Sequence, residues 1–367
     1  MNFLRKAIIV SAIFWLAACA TISPGRTYHA QVISQEFSNA TANIYSSIQA
    51  AIDAAPDAAV EPYRIYIAAG DYYEKLTITK PHIQLVGAGR DKTRVYFDAY
   101  AGQEYLPRKT WGTRGSATII VQAEDVQFHH LTIENSFDFL ATDRLDKNDP
   151  KKIRGTQAVA LHLREGSDRV LVRDVKLLGY QDTLFVDAGR SWFDNTSIAG
   201  NVDFIFGAGN ALFTDSDIVT RKRGQQHYPH GYITAPSTQI SSPYGLTFIN
   251  CRLLREAGVP DNSTALGRPW HPTKDFPDGR YADPDAIGKS VFINTMMDAH
   301  ITHDGWYSMG GTAREGGRKQ FMPEDARFFE HQNYGEGAQV NPARRQLNEH
   351  QVKSYIRKNI LGDWDPR

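Results

Sequence analysis

Two acids sit among apolar residues in nearly the same frame. Asp182 lies in Gly-Tyr-Gln-Asp-Thr-Leu-Phe, residues 179–185, and Asp203 follows 21 residues later in Gly-Asn-Val-Asp-Phe-Ile-Phe-Gly, residues 200–207. An ionised carboxylate is expensive to bury in such surroundings unless something is done with it. If consecutive structural units bring the two acids one strand spacing apart, about 4.8 Å, both cannot ionise cheaply. One then keeps its proton while the other is an anion, which supplies an acid and a nucleophile at the same pH. The alternative is that each Asp merely closes a turn, as is expected of Asp174 and Asp215. No turn needs the apolar neighbours of Asp182 and Asp203.

The elements that must position such a pair show in an internal repeat. Aligning Val172 with Phe193 and Phe213 puts Leu177, Ile198 and Ile218 in register, at steps of 21 and 20 residues. Each unit reads as an apolar strand, a polar turn and a second apolar strand, with no room for a helix, which suits a stacked β-solenoid. The preceding coil aligns at a step of 44, as though one turn carries an insertion near Asp143 to Lys152. Longer steps to Phe248 and Phe292 require protruding loops, and in repeat folds such loops often build the binding face. An evenly spaced β-sandwich is the other reading of the same pattern. Flanking the strands, Ile44, Ile48, Ala51 and Ile52 predict a short N-terminal helix ended by Pro56, and residues 350–361 predict a helical C-terminal tail.

The N-terminus reads as an export signal. Arg5 and Lys6 precede a short apolar run from Ala7 to Leu16, shorter than the roughly 20 residues of a spanning helix. The sequence Leu-Ala-Ala-Cys resembles a bacterial lipobox, so residues 1–18 are expected to be a lipoprotein signal peptide and Cys19 the lipidated residue. Ala20 after the Cys favours sorting to the outer membrane by the same resemblance. Residues 19–40, polar and aperiodic, are expected to form a tether, and residues 41–367 a single domain. Lys and Arg total 41 against 41 Asp and Glu, so the total charge implies no nucleic-acid surface and no acidic tail. With Cys19 acylated, Cys251 has no disulfide partner and is expected to be a buried apolar residue.

The motifs Gly-Tyr-Gln-Asp-Thr-Leu (from Gly179), Gly-Asn-Val-Asp-Phe-Ile-Phe-Gly (from Gly200) and Leu-Gly-Arg-Pro-Trp (266–270), in that order, resemble the signatures of the pectin methylesterases. Gln-Ala-Val-Ala-Leu from Gln157, Gly-Asp-Tyr-Tyr-Glu from Gly70 and His-Gly-Tyr-Ile-Thr-Ala-Pro from His230 match further stretches. The resemblance implies an all-β fold, a right-handed parallel β-helix, and hydrolysis of C6 methyl esters of galacturonate units in pectin without metal or organic cofactor. It implies Asp203 as nucleophile, forming an acyl-enzyme anhydride, and Asp182 as general acid and then base. Gln181 and Gln157 would donate to the oxyanion, and Arg268 would hold the nucleophile through paired N–H donors. Asp182 is thereby expected to be the acid that holds its proton. Trp270, Phe206, Trp306 and Met309 would line the sugar-binding cleft. The expected partners are pectin or methylated oligogalacturonides and, through the lipid, a membrane; the protein is expected to be a monomer.

Other chemistries fit less well. His129 and His130, or His227 and His230, form no HExxH frame and have no Cys cluster nearby, so no metal site is expected. A Gly-x-Ser-x-Gly elbow is absent from the sequence. A glycosidase on the same fold would need a carboxylate pair that admits water across the sugar. A lyase would need a calcium-binding acid cluster and a basic catalyst. A binding lipoprotein would have no need of the complete set of acids, Gln pair and Arg.

Overall fold

The computed structural model describes residues 27–33 and 43–366. The expected signal peptide and Cys19 lie outside the described residues. From Tyr63 onward the chain repeats one path, a strand in an eleven-stranded sheet, then one in an eight-stranded sheet, then one in a seven-stranded sheet. One coil is Arg190–Asp194, Ser197–Gly200 and Val202–Gly207, and the next is Asn210–Thr214, Asp217–Thr220 and Gly231–Pro236. Neighbouring strands within these sheets run parallel, and the coils stack as a right-handed parallel β-helix.

The repeat register read from the sequence is the register of the sheets. Val172, Phe193, Phe213, Phe248 and Phe292 pair in succession, as do Leu177, Ile198 and Ile218. The four Phe rings stack inside the coil at centroid distances of 4.7, 4.4 and 4.5 Å, all fully buried. Parallel, in-register coils put like on like, and each stacked pair adds about 0.5–1.5 kcal/mol beyond the area it buries. Phe128 pairs with Val172, so the step of 44 is real. The extra residues leave the coil between Thr132–Asn135 and Leu161–Leu163 and include a short helix, Phe139–Asp143.

Between the eleven- and eight-stranded sheets the chain turns on one residue with positive φ. His130, Asp174, Asn195, Asp215, Asn250 and Asn294 occupy this corner in successive coils, with φ of 50–56°. Asn and Asp tolerate this conformation best among residues with a Cβ, which explains the polar residue that punctuates each unit.

The ends depart from expectation. The N-terminal helix is Ile48–Asp53, capped by Ser47, with Ile48, Ala51 and Ile52 buried. Glu74 of the Gly-Asp-Tyr-Tyr-Glu stretch accepts from the Ser47 hydroxyl and from the Ile48 N–H, both at 2.9 Å, tying the start of this helix to the coil. Ile44 belongs instead to a strand, Ile44–Tyr45, paired with Ala30–Val32. Those three residues fall in the segment expected to be a tether. They form a strand because Ala30 and Val32 bury their side chains in the core while the backbone pairs with Tyr63–Ile67. The helical tail breaks into Glu349–Val352 and Arg357–Leu361. Its Tyr355, Ile360 and Leu361 cover Leu171, Trp192 and Leu212 on the outer face of the eleven-stranded sheet.

Candidate active site

Asp182 and Asp203 occupy equivalent places on consecutive coils, just before the paired residues Leu184 and Ile205. The Asp182 N–H donates to the Val202 carbonyl at 3.0 Å. Both acids have positive φ, 66° and 50°. The sequence arranges this locally with a glycine three residues before each acid. At Gly200 a Cβ would lie 2.3 Å from Cβ of Phe204, so only glycine lets the corner close. Beyond Asp203 the pairing with the next strand shifts between Val202 and Ile205, an irregularity of the kind that re-aims side chains at functional sites.

The two carboxyl groups are both buried and differently partnered. Arg268 grips Asp203 with two bonds, Nε to Oδ1 at 2.8 Å and Nη2 to Oδ2 at 2.6 Å. The guanidinium is itself held flat, its Cζ 3.8 Å from the centroid of the Tyr232 ring. No side chain among the described residues hydrogen-bonds the Asp182 carboxyl. Burial pushes its pKa well above the ordinary 3.8, the Asp203 charge pushes the same way, and Arg268 opposes both. The geometry supplies a fixed carboxylate beside an acid that holds its proton.

Both acids open onto a cavity of about 640 Å³, which Gln157, Gln181, Phe206, Trp270 and Met309 also line. Thr156 donates its hydroxyl to Oε1 of Gln181 at 2.7 Å, which leaves the amide N–H groups as the unused half of that side chain. The floor is a ladder on the outer face of the seven-stranded sheet, where His162, Phe185 and Phe206 pair in register. Phe185 stacks on His162 at 4.4 Å and on Phe206 at 4.2 Å, and Trp270 stands edge-on to Phe206 at 5.6 Å. A flat apolar floor beside two acids suits a ring with an apolar face and a polar edge.

Trp306 is the exception among the expected cleft residues. It is buried in the interior, stacked on Phe328 at 4.4 Å and packed near Phe292, and does not line the cavity. The turn that carries Met309 to the cleft directs the Trp306 indole into the end of the coil, where a large apolar ring gains more by burial. Sequence reasoning missed Trp111, Thr113 and Arg114, which close one side of the cavity. They lie in or beside a short helix, Gly112–Gly115, on the long connection between Thr93–Phe97 and Ile119–Val121, outside the repeat, so no register pointed to them. Among the described residues no group of His, Cys, Asp and Glu could hold a metal ion. Cys251 is free and buried.

Fold and site together define a carboxylic ester hydrolase built on a β-helix, of the pectin methylesterase type. The pectinesterase family model matches residues 36–358. Pectinesterase A of Dickeya dadantii (strain 3937) is 46% identical over 308 residues, 83% of this chain and 84% of that protein. Among solved structures, the pectin methylesterase PemA from Erwinia chrysanthemi aligns with a TM-score of 0.89 at 45% identity, covering 94% of this chain and 99% of that one. The pectin methylesterase from Yersinia enterocolitica aligns at 0.83 with 48% identity, covering 87% and 99%. A pectin methylesterase has also been solved in complex with a hexasaccharide, and it too aligns at 0.89 with 45% identity over 94% of this chain and 99% of that one. The chain belongs to the pectinesterase family.

Proposed function

We propose that this enzyme hydrolyses the C6 methyl esters of galacturonate units in pectin or its oligomers, with Asp203 as nucleophile and Asp182 as proton carrier. The observation that carries this assignment is the unequal treatment of the two stacked acids, one forked by Arg268 and the other buried without a hydrogen-bonding side chain. Asp203 attacks the ester carbonyl, and the resulting oxyanion takes N–H donors from Gln157 and Gln181. Neutral donors suit that charge, since each stabilises it without adding an ion to the resting site. As the tetrahedral centre collapses, the C–O bond to the methoxy group breaks and the Asp182 proton leaves with methanol. The anhydride so formed on Asp203 is opened by water, whose proton returns to Asp182 while Asp203 is released as carboxylate. The family resemblance and the hexasaccharide complex of a related enzyme support a uronate polymer as substrate.

The test is methanol release from highly methylated pectin by the domain beginning near residue 25, beside folded Asp203→Ala and Asp182→Ala proteins. Release that disappears in both variants supports the assignment; full activity in either removes that acid from its role. The same reading includes export and a lipid on Cys19 in the outer membrane. Fatty-acid labelling that persists in Cys19→Ala would remove the anchor.

A further inference from the structure

Arg268 stands near two carboxyl groups yet forks only one of them. Its charge acts on Asp182 as well as on Asp203, and an opposite charge favours the ionised form of whichever acid it approaches. Two stacked carboxyl groups are alike until something tells the guanidinium which to hold. The main chain fixes one end of Arg268. Its N–H donates to the Thr234 carbonyl at 3.0 Å, and at Gly267 a Cβ would fall 2.1 Å from the Thr234 hydroxyl oxygen, so glycine is what lets the Arg268 backbone lie this close to Gly231–Pro236. Tyr232 of that strand fixes the other end, its ring centroid 3.8 Å from Cζ. Tyr232 pairs with Val202, the residue before Asp203, so Asp203 lies one coil from this ring and Asp182 two. Tyr307 packs against Tyr232 in turn, with ring centroids 5.7 Å apart.

We propose that Tyr232 is a positioning residue that sets which of the two acids becomes the nucleophile, by fixing the plane of the Arg268 guanidinium so that its fork closes on Asp203 and not on Asp182. This rests on the esterase reading above. A planar cation lying flat on an aromatic face presents its N–H edge in one direction, and here that edge meets both oxygens of Asp203. Asp182 therefore keeps its proton for the departing methanol. Without the ring the guanidinium gains rotational freedom and shares its donors between the acids. Asp182 then ionises more easily, and the resting site has two anions and no acid.

The experiment follows methanol release against pH in Tyr232→Leu and Tyr232→Phe. Asp182 is faced by Asp203 and Arg268, and Tyr232 by Arg268, Asp203, Tyr307 and Arg223. The alkaline limb of kcat/KM reads the acid that must keep its proton. Tyr232→Leu should lower kcat about three- to thirtyfold with KM within about twofold, and should move that limb down by about one pH unit. Tyr232→Phe, which keeps the ring and removes the hydroxyl, should match the parent enzyme. An unmoved limb in folded Tyr232→Leu overturns the proposal, as does a Phe variant as impaired as Leu. Where Leu disturbs the strand, Tyr307→Ala decides: it removes the ring that backs Tyr232 and should move the limb the same way by less, and an unmoved limb overturns the proposal. Carbon-13 NMR titration of the Asp182 carboxyl needs no turnover and separates the two readings. A carboxyl that ionises at lower pH in Tyr232→Leu, in a protein that releases no methanol, would keep Tyr232 as the residue that aims Arg268 and sink the esterase. Methanol release with an unmoved limb and an unmoved carboxyl would do the reverse.

Discussion

Two corners of the coil can be compared because both are built on the same backbone conformation. Asn195, Asp215, Asn250 and Asn294 turn the chain between the eleven- and eight-stranded sheets, while Asp182 and Asp203 turn it into the seven-stranded sheet. All six have φ between 50° and 66°. At the first corner Asn195, Asp215, Asn250 and Asn294 are exposed, whereas Asp182 and Asp203 are each only 7% exposed. The difference lies in what surrounds the corner. Loops carrying Trp111 and Trp270 wall the second, and there burial and the neighbouring Asp203 push the Asp182 carboxyl group, an ordinary turn residue in water, well above its usual pKa. Positive φ is thus a requirement of the turn, and the reactivity proposed for the acids comes from the cover.

The sharpest way to break this comparison is to remove one acid from each corner. Asp203→Ala should lower kcat by about 10⁴-fold or more, whereas Asp215→Ala, the same residue type at nearly the same φ, should leave methanol release within about twofold because it touches no reacting group. Comparable losses would end the distinction.

Asp182→Asn should lower turnover by about 10²–10⁴-fold and should also stabilise the protein. The folded-state pKa is raised above 3.8, so as pH rises past that value the unfolded chain ionises first and the native state loses ground. The loss grows until the folded pKa is reached and is then constant. The melting-temperature advantage of Asp182→Asn should therefore be absent below about pH 3 and grow upward from about pH 4. A constant advantage at every pH would place its origin in packing.

Trp306→Ala should cost about 3–5 kcal/mol in denaturant unfolding with KM unchanged in the folded fraction. Trp270→Ala should instead raise KM, with a smaller loss of stability. The smallest effect belongs to the exposed corner. Asn250→Ala should cost about 1–2 kcal/mol, since a Cβ without a helpful polar group is disfavoured at positive φ, while Asn250→Gly should be nearly neutral.

The sequence made the register legible because parallel coils stack residue on equivalent residue, so Val172, Phe193 and Phe213 repeat in type as well as position. The acid pair was legible for the same reason. What the pattern concealed lies off the repeat. Arg114 and Trp111 come from a connection whose path depends on tertiary contacts, including the Arg114 carbonyl to His162. Trp306 was expected in the cleft by resemblance, and only the position of Phe328 reveals that the coil end has room for it. Ala30–Val32 was too short a strand to show alternation against its polar flanks.

The interior ladder also ends in an instructive way. After Phe292 the next residue in register is Glu330, fully buried, which receives Nε of Arg344 at 2.8 Å and Nη2 at 2.6 Å. Arg344 also donates from Nη1 to the Gly337 carbonyl at 2.8 Å. A buried ion pair contributes little net stability compared with another apolar layer, yet becomes costly when either partner is removed. A solenoid has no intrinsic length, since every apolar layer invites another. Here the column closes on a charge held by Arg344 of the C-terminal segment and by Asn333 just past the strand, so the molecule counts its coils and stops.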